Sequence, residues 1–424
     1  MNYFTDVLVI LRRVFQRRHQ RFVYVSGFVQ FLPLISAPIL TRLYSPESFG
    51  IYAIFYVTAT ILSSSVGLTL HNAILTEKND INAFSAGILT FSISMVLTFS
   101  IFLIFYFIPS QKLVFFLGDE VLVLLPIMFL TVLINSFYNV FYTWAIRRSK
   151  FDSLSLNKII LGLSTTTIQI IVGLLGMGAL GLVLANLFGL AIALVLIFPI
   201  FFRDMRDQQF KINVRSILEA LSNNRKLAIF EFPATLVNLL STSAPTLFIN
   251  KLFGSSKLGQ FSLAERAILT PMSFLSVSLQ DIFRDKAPKE FHEKGNCYHI
   301  TKDFFKISII ISCIFVLPIA IFAPDIFPII FGEKWSISGD IIRALSILII
   351  CRFVSSPISY VWILTGRQKL DFFWQLGLLF LTCLSFILPF IYENISFIES
   401  IWTYSILVSS WYIFCILLTF KFSR

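Results

Sequence analysis

The stretch PILTRLYSPESFGIY, residues Pro38–Tyr52, decides how the rest of the chain is interpreted. It is a short polar turn, because a cluster of Thr, Arg, Ser and Glu interrupts two long apolar runs. The turn returns in altered form 209 positions later, where an ungapped match places Arg42 on Lys251 and Gly50 on Gly259. This repetition indicates that the two halves of the chain share one architecture.

A second repeat lies at the other end of each half. Arg148 and Lys150 match Arg367 and Lys369 at an offset of 219 residues. Two repeats at about half the chain length predict an internal duplication, which is common in transporters.

The composition is that of a membrane protein. Of 424 residues, 57% are hydrophobic and only 13% are charged, and the mean hydropathy is +0.83, whereas a soluble domain carries about 25% charged residues. The net charge of +11 does not indicate a nucleic-acid partner, because the basic residues lie in short loops between apolar runs, as topology signals do.

Twelve apolar runs are long enough to cross a hydrocarbon core of about 30 Å as helices. Of the 34 Lys and Arg residues, 26 fall on one side and 5 on the other, which predicts that both termini are cytoplasmic. We therefore expect an all-α membrane protein with two six-helix lobes around a central cavity, at 1–203 and 227–424, joined by an amphipathic linker at 204–226. The predicted spans are 22–40, 50–70, 84–108, 121–145, 156–176, 179–202, 227–249, 259–283, 304–324, 340–364, 371–391 and 398–420.

The sequence predicts a protein that is not an enzyme. It contains no GxxxxGK[ST] phosphate loop and no HExxH pair. Its five cysteines form no CxxC pair, so neither a disulfide framework nor a metal site is expected, and no cofactor is expected. All loops are too short for a catalytic domain.

Charged residues inside the spans are the best candidates for a binding site. A charge at the centre of a membrane helix costs about 2.5–3.5 kcal/mol, so it usually faces a cavity or a partner. Arg352 lies near the middle of the tenth span, whereas Arg343 is closer to its outer end and on the opposite face. Arg266 begins a polar stripe along the eighth span, and Glu231 begins another along the seventh.

These two stripes would line a hydrophilic, cationic cavity. The candidate substrate-cavity residues are Arg266, Arg352, Glu231, Asn238, Thr270 and Gln280. Other interpretations remain open: Ser and Thr often bond their own backbone, Asn and Gln often join helices together, and Glu231 could reach the interface from its helix end.

Three segments resemble one protein family. PILTRLYSPESFGIYAIF closely resembles the first-loop signature of bacterial polysaccharide flippases, which translocate lipid-linked oligosaccharides for O-antigen and capsule. SLAERAILTP at 262–271 resembles the eighth helix of that family, and FGEKWSISGDIIRAL at 331–345 is similar to the stretch before its tenth helix. The likeness extends over nearly the whole chain, including the layout of twelve spans.

The resemblance implies the fold of the multidrug/oligosaccharidyl-lipid/polysaccharide exporter superfamily. It implies an undecaprenyl-diphosphate-linked oligosaccharide as substrate, moved from the cytoplasmic to the periplasmic leaflet of the bacterial inner membrane. Membrane lipid and other polysaccharide-assembly membrane proteins are the further partners that it implies. Arg266 and Arg352 are the residues placed to bind the diphosphate.

Three other functions are weighed against this one. A cation-coupled multidrug antiporter of the same fold would need an acidic site in the N-terminal lobe, and the first span contains no acid. A polysaccharide polymerase or ligase would carry a large periplasmic loop, which the sequence lacks. A membrane scaffold would have no use for polar stripes within its spans.

Overall fold

The computed structural model describes residues 18–109, 111, 118–207, 214–391 and 395–424, and within these ranges the chain is helical without any strand. The helices form two compact units. The N-terminal unit comprises the described residues up to Ser36 together with Thr58–Leu236. The C-terminal unit comprises Ala37–Val57 together with Val237–Arg424.

The long helices follow the predicted apolar runs in chain order. Short helical turns connect some of them. The helices are α1 Arg18–Leu43, α2 Pro46–Gly67, α3 Asp80–Phe107, α4 Leu125–Arg147, α5 Phe151–Leu174, α6 Gly178–Asp207, α7 Val214–Lys226, α8 Phe232–Lys294, α9 Tyr298–Phe331, α10 Ser336–Ile358, α11 Gln368–Ile391 and α12 Phe397–Ser423.

Ten helices in the described ranges are long and apolar enough to cross a membrane. The prediction of a multi-pass, all-helical membrane protein is therefore confirmed. The difference from twelve has two sources. The apolar part of α1, Val29–Leu43, is short. The predicted spans 227–249 and 259–283 fall in one continuous helical run, Ser222–Lys294, in which non-helical dihedrals at Gly254 (φ 81°, ψ 170°) separate two helical parts.

The count of twelve, the cytoplasmic termini, the lobes at 1–203 and 227–424 and a cavity between them stay predictions. The predicted linker 204–226 lies partly outside the described residues. Its second half forms α7, whose Ala220 is buried in a small apolar cluster with Ala86 of α3.

The core of the N-terminal unit is aromatic. The ring of Phe84 packs edge-on against Trp144 at 5.4 Å and stacks on Phe201 at 4.6 Å, joining α3, α4 and α6. Trp144 is fully buried, and its Nε1 donates to Oδ2 of Asp204 (3.0 Å). Aromatic packing of this kind stabilises a unit beyond the burial of apolar area alone.

A cluster of charges joins the ends of these helices. Arg147 donates to Asp80 Oδ1 (2.8 Å), and Arg148 donates to Asp80 Oδ2 (2.8 Å) and to Asp204 Oδ2 (2.7 Å). Arg147 also donates to the carbonyl oxygens of Ile74 and Glu77, each at 2.7 Å. The basic connector at Arg147 and Arg148, which the sequence indicates as a topology signal, therefore also joins the helix ends through ion pairs.

In the C-terminal unit the two repeated turns cross each other. A Cβ atom on Gly50 would overlap the carbonyl group of Ser255, and one on Gly259 would overlap the carbonyl group of Pro46. The two glycines that correspond at an offset of 209 residues thus lie where two helix starts touch backbone to backbone. Only a residue without a side chain allows this approach.

Trp335 fixes the same crossing from the start of α10. It is fully buried, and its Nε1 donates to the carbonyl of Thr41 (3.1 Å) while its ring lies edge-on to Phe49 at 5.0 Å. Gln260 adds hydrogen bonds at the same crossing. Its Oε1 accepts from the backbone N–H (3.1 Å) and from the hydroxyl (2.6 Å) of Ser338. The quoted turn is therefore a packed structural element.

The crossing predicts a sharp contrast between two glycines of α2. We expect Gly50→Ala to lower the free energy of unfolding by about 1–3 kcal/mol, because the added methyl group overpacks a backbone contact. Gly67→Ala is the control, since a Cβ there would meet no atom within 4 Å, and its effect should stay below about 1 kcal/mol. Thermal unfolding of the purified protein measures both; equal midpoints would contradict the close crossing.

Candidate functional site

A cluster of charged and phenolic groups surrounds Arg352 on α10. The Arg352 side chain is exposed, yet it interacts electrostatically with Glu265 of α8 and with Tyr404 and Tyr412 of α12. These groups come from two helices beside α10, and Arg352 lines a cavity. All four residues belong to the C-terminal unit.

Arg266 completes the cluster. Its guanidinium lies over the ring of Tyr52, 5.5 Å from the centroid, in a cation–π geometry. The carboxylate of Glu265 interacts with both Arg266 and Arg352. The structure thus brings together around one acid the two arginines that the sequence singled out, and the cluster carries a net charge of +1 when all three groups are ionised.

Glu265 is the residue that the sequence reasoning missed. It lies in the quoted SLAERAILTP segment, directly before Arg266, in an otherwise apolar run. An acid at such a position is as costly as an arginine unless it is paired, so its presence beside Arg266 was the available signal. Tyr404 and Tyr412 gave no comparable signal, because aromatic residues are common throughout this chain.

Arg343 behaves differently from Arg352. It is exposed, and its one hydrogen bond among the described residues runs from Nη2 to the carbonyl of Ile321 at 3.5 Å. The prediction that the two arginines occupy different faces of one helix agrees with these different surroundings.

Two candidates from the polar stripes engage neighbouring hydroxyls through the backbone. The carbonyl of Asn238 accepts from Thr242 Oγ1 (3.0 Å), and the carbonyl of Thr270 accepts from Ser273 Oγ (2.8 Å). Asn238 is exposed and Thr270 is partly buried. Their place in a substrate cavity stays a prediction.

Gln280 joins two helices of the C-terminal unit. Its Nε2 donates to Ser356 Oγ (2.6 Å) and to the Ser356 carbonyl (3.2 Å), and Ser276 Oγ donates to the same hydroxyl (2.9 Å). Because the amide nitrogen of Gln280 forms these bonds, it holds α8 against α10. Asn and Gln side chains often join membrane helices in this way.

Glu231 belongs to the N-terminal unit, whereas Arg266 and Arg352 belong to the C-terminal unit. Its Oε1 accepts from Asn72 Nδ2 at 2.5 Å. Burial lowers the pKa of the neighbouring His71 below its usual value, and the carboxylate of Glu231 opposes that shift. The hydrogen bond from Asn72 thus fixes Glu231 to the segment that follows α2.

A cavity of about 180 Å³ adjoins Arg352. Its lining includes Ser355 on α10, Asp371 and Trp374 on α11 and Tyr412 on α12. It combines a cation, an acid, hydroxyls and aromatic surfaces, which is the mixture of apolar wall and few polar groups found in small-molecule sites.

Residues 39–339 match the family model described as polysaccharide biosynthesis protein. The chain is 22% identical to the succinoglycan biosynthesis transport protein ExoT of Rhizobium meliloti, over 74% of this chain and 62% of that protein. It is 24% identical to the teichuronic acid biosynthesis protein TuaB of Bacillus subtilis, over 42% of this chain and 36% of TuaB. The chain thus spans about a third to three fifths of the length of these relatives.

Two solved structures have the same fold. The lipid II flippase MurJ in an inward closed conformation matches with a TM-score of 0.71 at 14% identity, over 94% of this chain and 87% of MurJ. A multidrug resistance MATE family transporter of the MOP superfamily, in an inward-facing conformation, matches with a TM-score of 0.66 at 16% identity, over 95% and 97% of the two chains.

The shared acid predicts that Glu265 and Arg352 are energetically coupled. In a double-mutant cycle with Glu265→Gln and Arg352→Met, we expect the double variant to lose less stability than the sum of the single variants, with a coupling of about 0.5–3 kcal/mol. Thermal or denaturant unfolding measures it. The control pairs Arg352→Met with Glu333→Gln, an exposed acid, and should be additive; an additive Glu265–Arg352 cycle would refute the pairing.

Proposed function

The chain belongs to the polysaccharide biosynthesis protein family, as its resemblance to bacterial polysaccharide flippases predicts, and from this membership we propose that it is a flippase. Its substrate is an undecaprenyl-diphosphate-linked oligosaccharide, which it carries from the cytoplasmic to the periplasmic leaflet of the bacterial inner membrane by alternating access. The proposal rests on Arg266, whose guanidinium lies over the ring of Tyr52, and on Arg352, which lines a cavity of the same unit. Both interact electrostatically with Glu265.

The charge of this cluster suits a diphosphate. Guanidinium groups bind phosphate oxygens through directed, charge-assisted hydrogen bonds. The two guanidinium groups supply the positive charge that an anionic head group neutralises. The polyprenyl tail of such a substrate remains in the lipid, so only the head group has to enter the cavity.

Glu265 gives the empty protein a partner for its arginines. A cation in a membrane helix is unstable without a counter-charge, and Glu265 supplies one when no substrate is bound. The diphosphate then competes with Glu265 for the guanidinium groups. This competition keeps binding weak enough for release, which a carrier needs as much as capture.

The same arrangement supports a flippase over a cation-coupled multidrug antiporter. A carboxylate that faces two arginines is compensated already and is a poor ligand for a cation. The names of the relatives support the proposal too, since ExoT is called a biosynthesis transport protein and MurJ a lipid II flippase.

The cellular test is depletion of the protein in its native host. We expect lipid-linked saccharide repeats to accumulate in the cytoplasmic leaflet and the surface polysaccharide to be lost, because assembly of the repeats continues while export stops. Mass spectrometry of extracted lipids and staining of the surface polysaccharide measure the two effects. Normal surface polysaccharide in the depleted strain would refute the function.

The molecular test uses arginine variants in the depleted strain. We expect Arg266→Ala and Arg352→Ala to reduce export about tenfold or more, since each removes a charge-assisted bond of about 1.5–3 kcal/mol. The Lys variants should retain more activity because they keep the charge. Arg343→Ala, an exposed arginine on the same helix as Arg352, is the matched control and should export normally. Wild-type export by all four variants would exclude the cluster as the binding site.

A further inference from the structure

The cavity beside Arg352 is lined by an acid and by three aromatic side chains, which a diphosphate site does not require. It lies within the C-terminal unit and has a volume of about 180 Å³. Sites for drug-sized ligands measure about 300–1,000 Å³. The cavity therefore has room for one small polar unit.

Two donors at this cavity lack acceptors among the residues that the structure describes. Trp374 Nε1 is buried and has no hydrogen-bond partner among the described residues. A buried N–H without a partner costs about 1–3 kcal/mol, so the site gains if a ligand supplies an oxygen. The Arg352 guanidinium also donates no hydrogen bond to the described part of the chain, although it lies near the phenol groups and Glu265.

The lining offers an acceptor as well as donors. Asp371 lines the cavity and accepts a bond from Gln375 Nε2 (3.1 Å), which leaves its second carboxylate oxygen open to a further donor. Arg352 is assigned to the diphosphate, so Asp371 sets the charge of the rest of the lining. There an anion would be repelled by Asp371, whereas a hydroxyl group can donate to Asp371 and accept from Trp374.

The aromatic side chains supply the apolar part of the lining. The Trp374 and Tyr412 rings are edge-on at 5.3 Å. Trp362 lines the cavity too, and its Nε1 is already bonded to Thr419 Oγ1 (2.7 Å), so only its apolar surface remains for a ligand. A pyranose ring has the matching character, since its hydroxyls form hydrogen bonds and its C–H faces pack on aromatic rings.

We propose that this cavity binds one neutral sugar residue of the transported saccharide. The proposal rests on the proposed function for its substrate, and it adds a specificity site: Asp371 and Trp374 recognise sugar hydroxyls, whereas Arg266 and Arg352 bind the diphosphate. Discrimination by buried polar groups is strong, because a substrate that lacks the matching hydroxyl leaves them unpaired.

Direct binding of free sugars to the full chain tests the proposal. The protein is placed in lipid nanodiscs, because maltoside and glucoside detergents carry sugar head groups that would compete. Radiolabelled glucose, galactose, N-acetylglucosamine, glucuronate and inorganic phosphate are the probes. We expect saturable binding of at least one neutral sugar, and we expect that inorganic phosphate, which binds at the arginines, does not displace it.

Two substitutions in the cavity lining identify the site. Asp371→Asn and Trp374→Phe should each weaken binding of the neutral sugar about tenfold or more; the Phe variant keeps an aromatic ring and removes only the N–H. The controls are Asp152→Asn, the exposed counterpart of Asp371 at the offset of 219 residues, and Trp402→Phe on α12. Both should bind as the wild type does, and equal thermal midpoints exclude a folding defect.

Four results would overturn the proposal: binding of phosphate or glucuronate alone, no binding of any neutral sugar, neutral-sugar binding that survives both lining substitutions, or sugar binding that the control substitutions weaken equally. If Asp371→Asn fails to fold, the same binding measurement on Trp374→Phe and on Ser359→Ala tests the site, since Ser359 also lines the cavity. Failure of this proposal is separable from failure of the flippase function. Arginine variants that stop export, together with lining variants that bind and export normally, would retain the flippase and remove the sugar site.

Discussion

A guanidinium group inside an apolar helical unit needs a counter-charge, and this constraint organises the C-terminal unit. The carboxylate of Glu265 interacts electrostatically with both Arg352 and Arg266 and supplies that counter-charge, and Arg266 also lies over the face of the Tyr52 ring. Because these groups come from α2, α8 and α10, the placement of the charges depends on the packing of the whole unit. The same dependence makes the cluster sensitive to any ligand that brings its own negative charge.

The repeated turn builds the frame in which this cluster lies. Gly50 and Gly259 let the starts of two helical segments approach backbone to backbone, and Tyr52 and Glu265 follow those glycines within two turns of helix. The internal duplication seen in the sequence therefore determines which side chains meet at this crossing. It places the ring of Tyr52, which follows one copy of the turn, beside the guanidinium of Arg266, which follows the other.

The sequence predicted much of the fold, because apolar runs and their polar interruptions are local signals; even the break at Gly254 lies between two predicted spans. It also singled out Arg266 and Arg352 as candidates, since charges in such runs are rare, and their role in a binding site stays a prediction. It could not predict the partner of Glu231, because Asn72 lies 159 residues away and only tertiary packing joins them. Nor could it identify the unbonded N–H of Trp374, which depends on where every neighbouring side chain lies.

The central claim is that the arginine pair exchanges its internal acid for the anionic head group of a lipid-linked saccharide. The most direct measurement is a structure determined with such a lipid bound in a nanodisc. The account predicts density for the diphosphate within hydrogen-bonding distance of the Arg266 and Arg352 guanidinium groups, with Glu265 no longer their nearest anion. A head group bound elsewhere, with both arginines still facing Glu265, would contradict it.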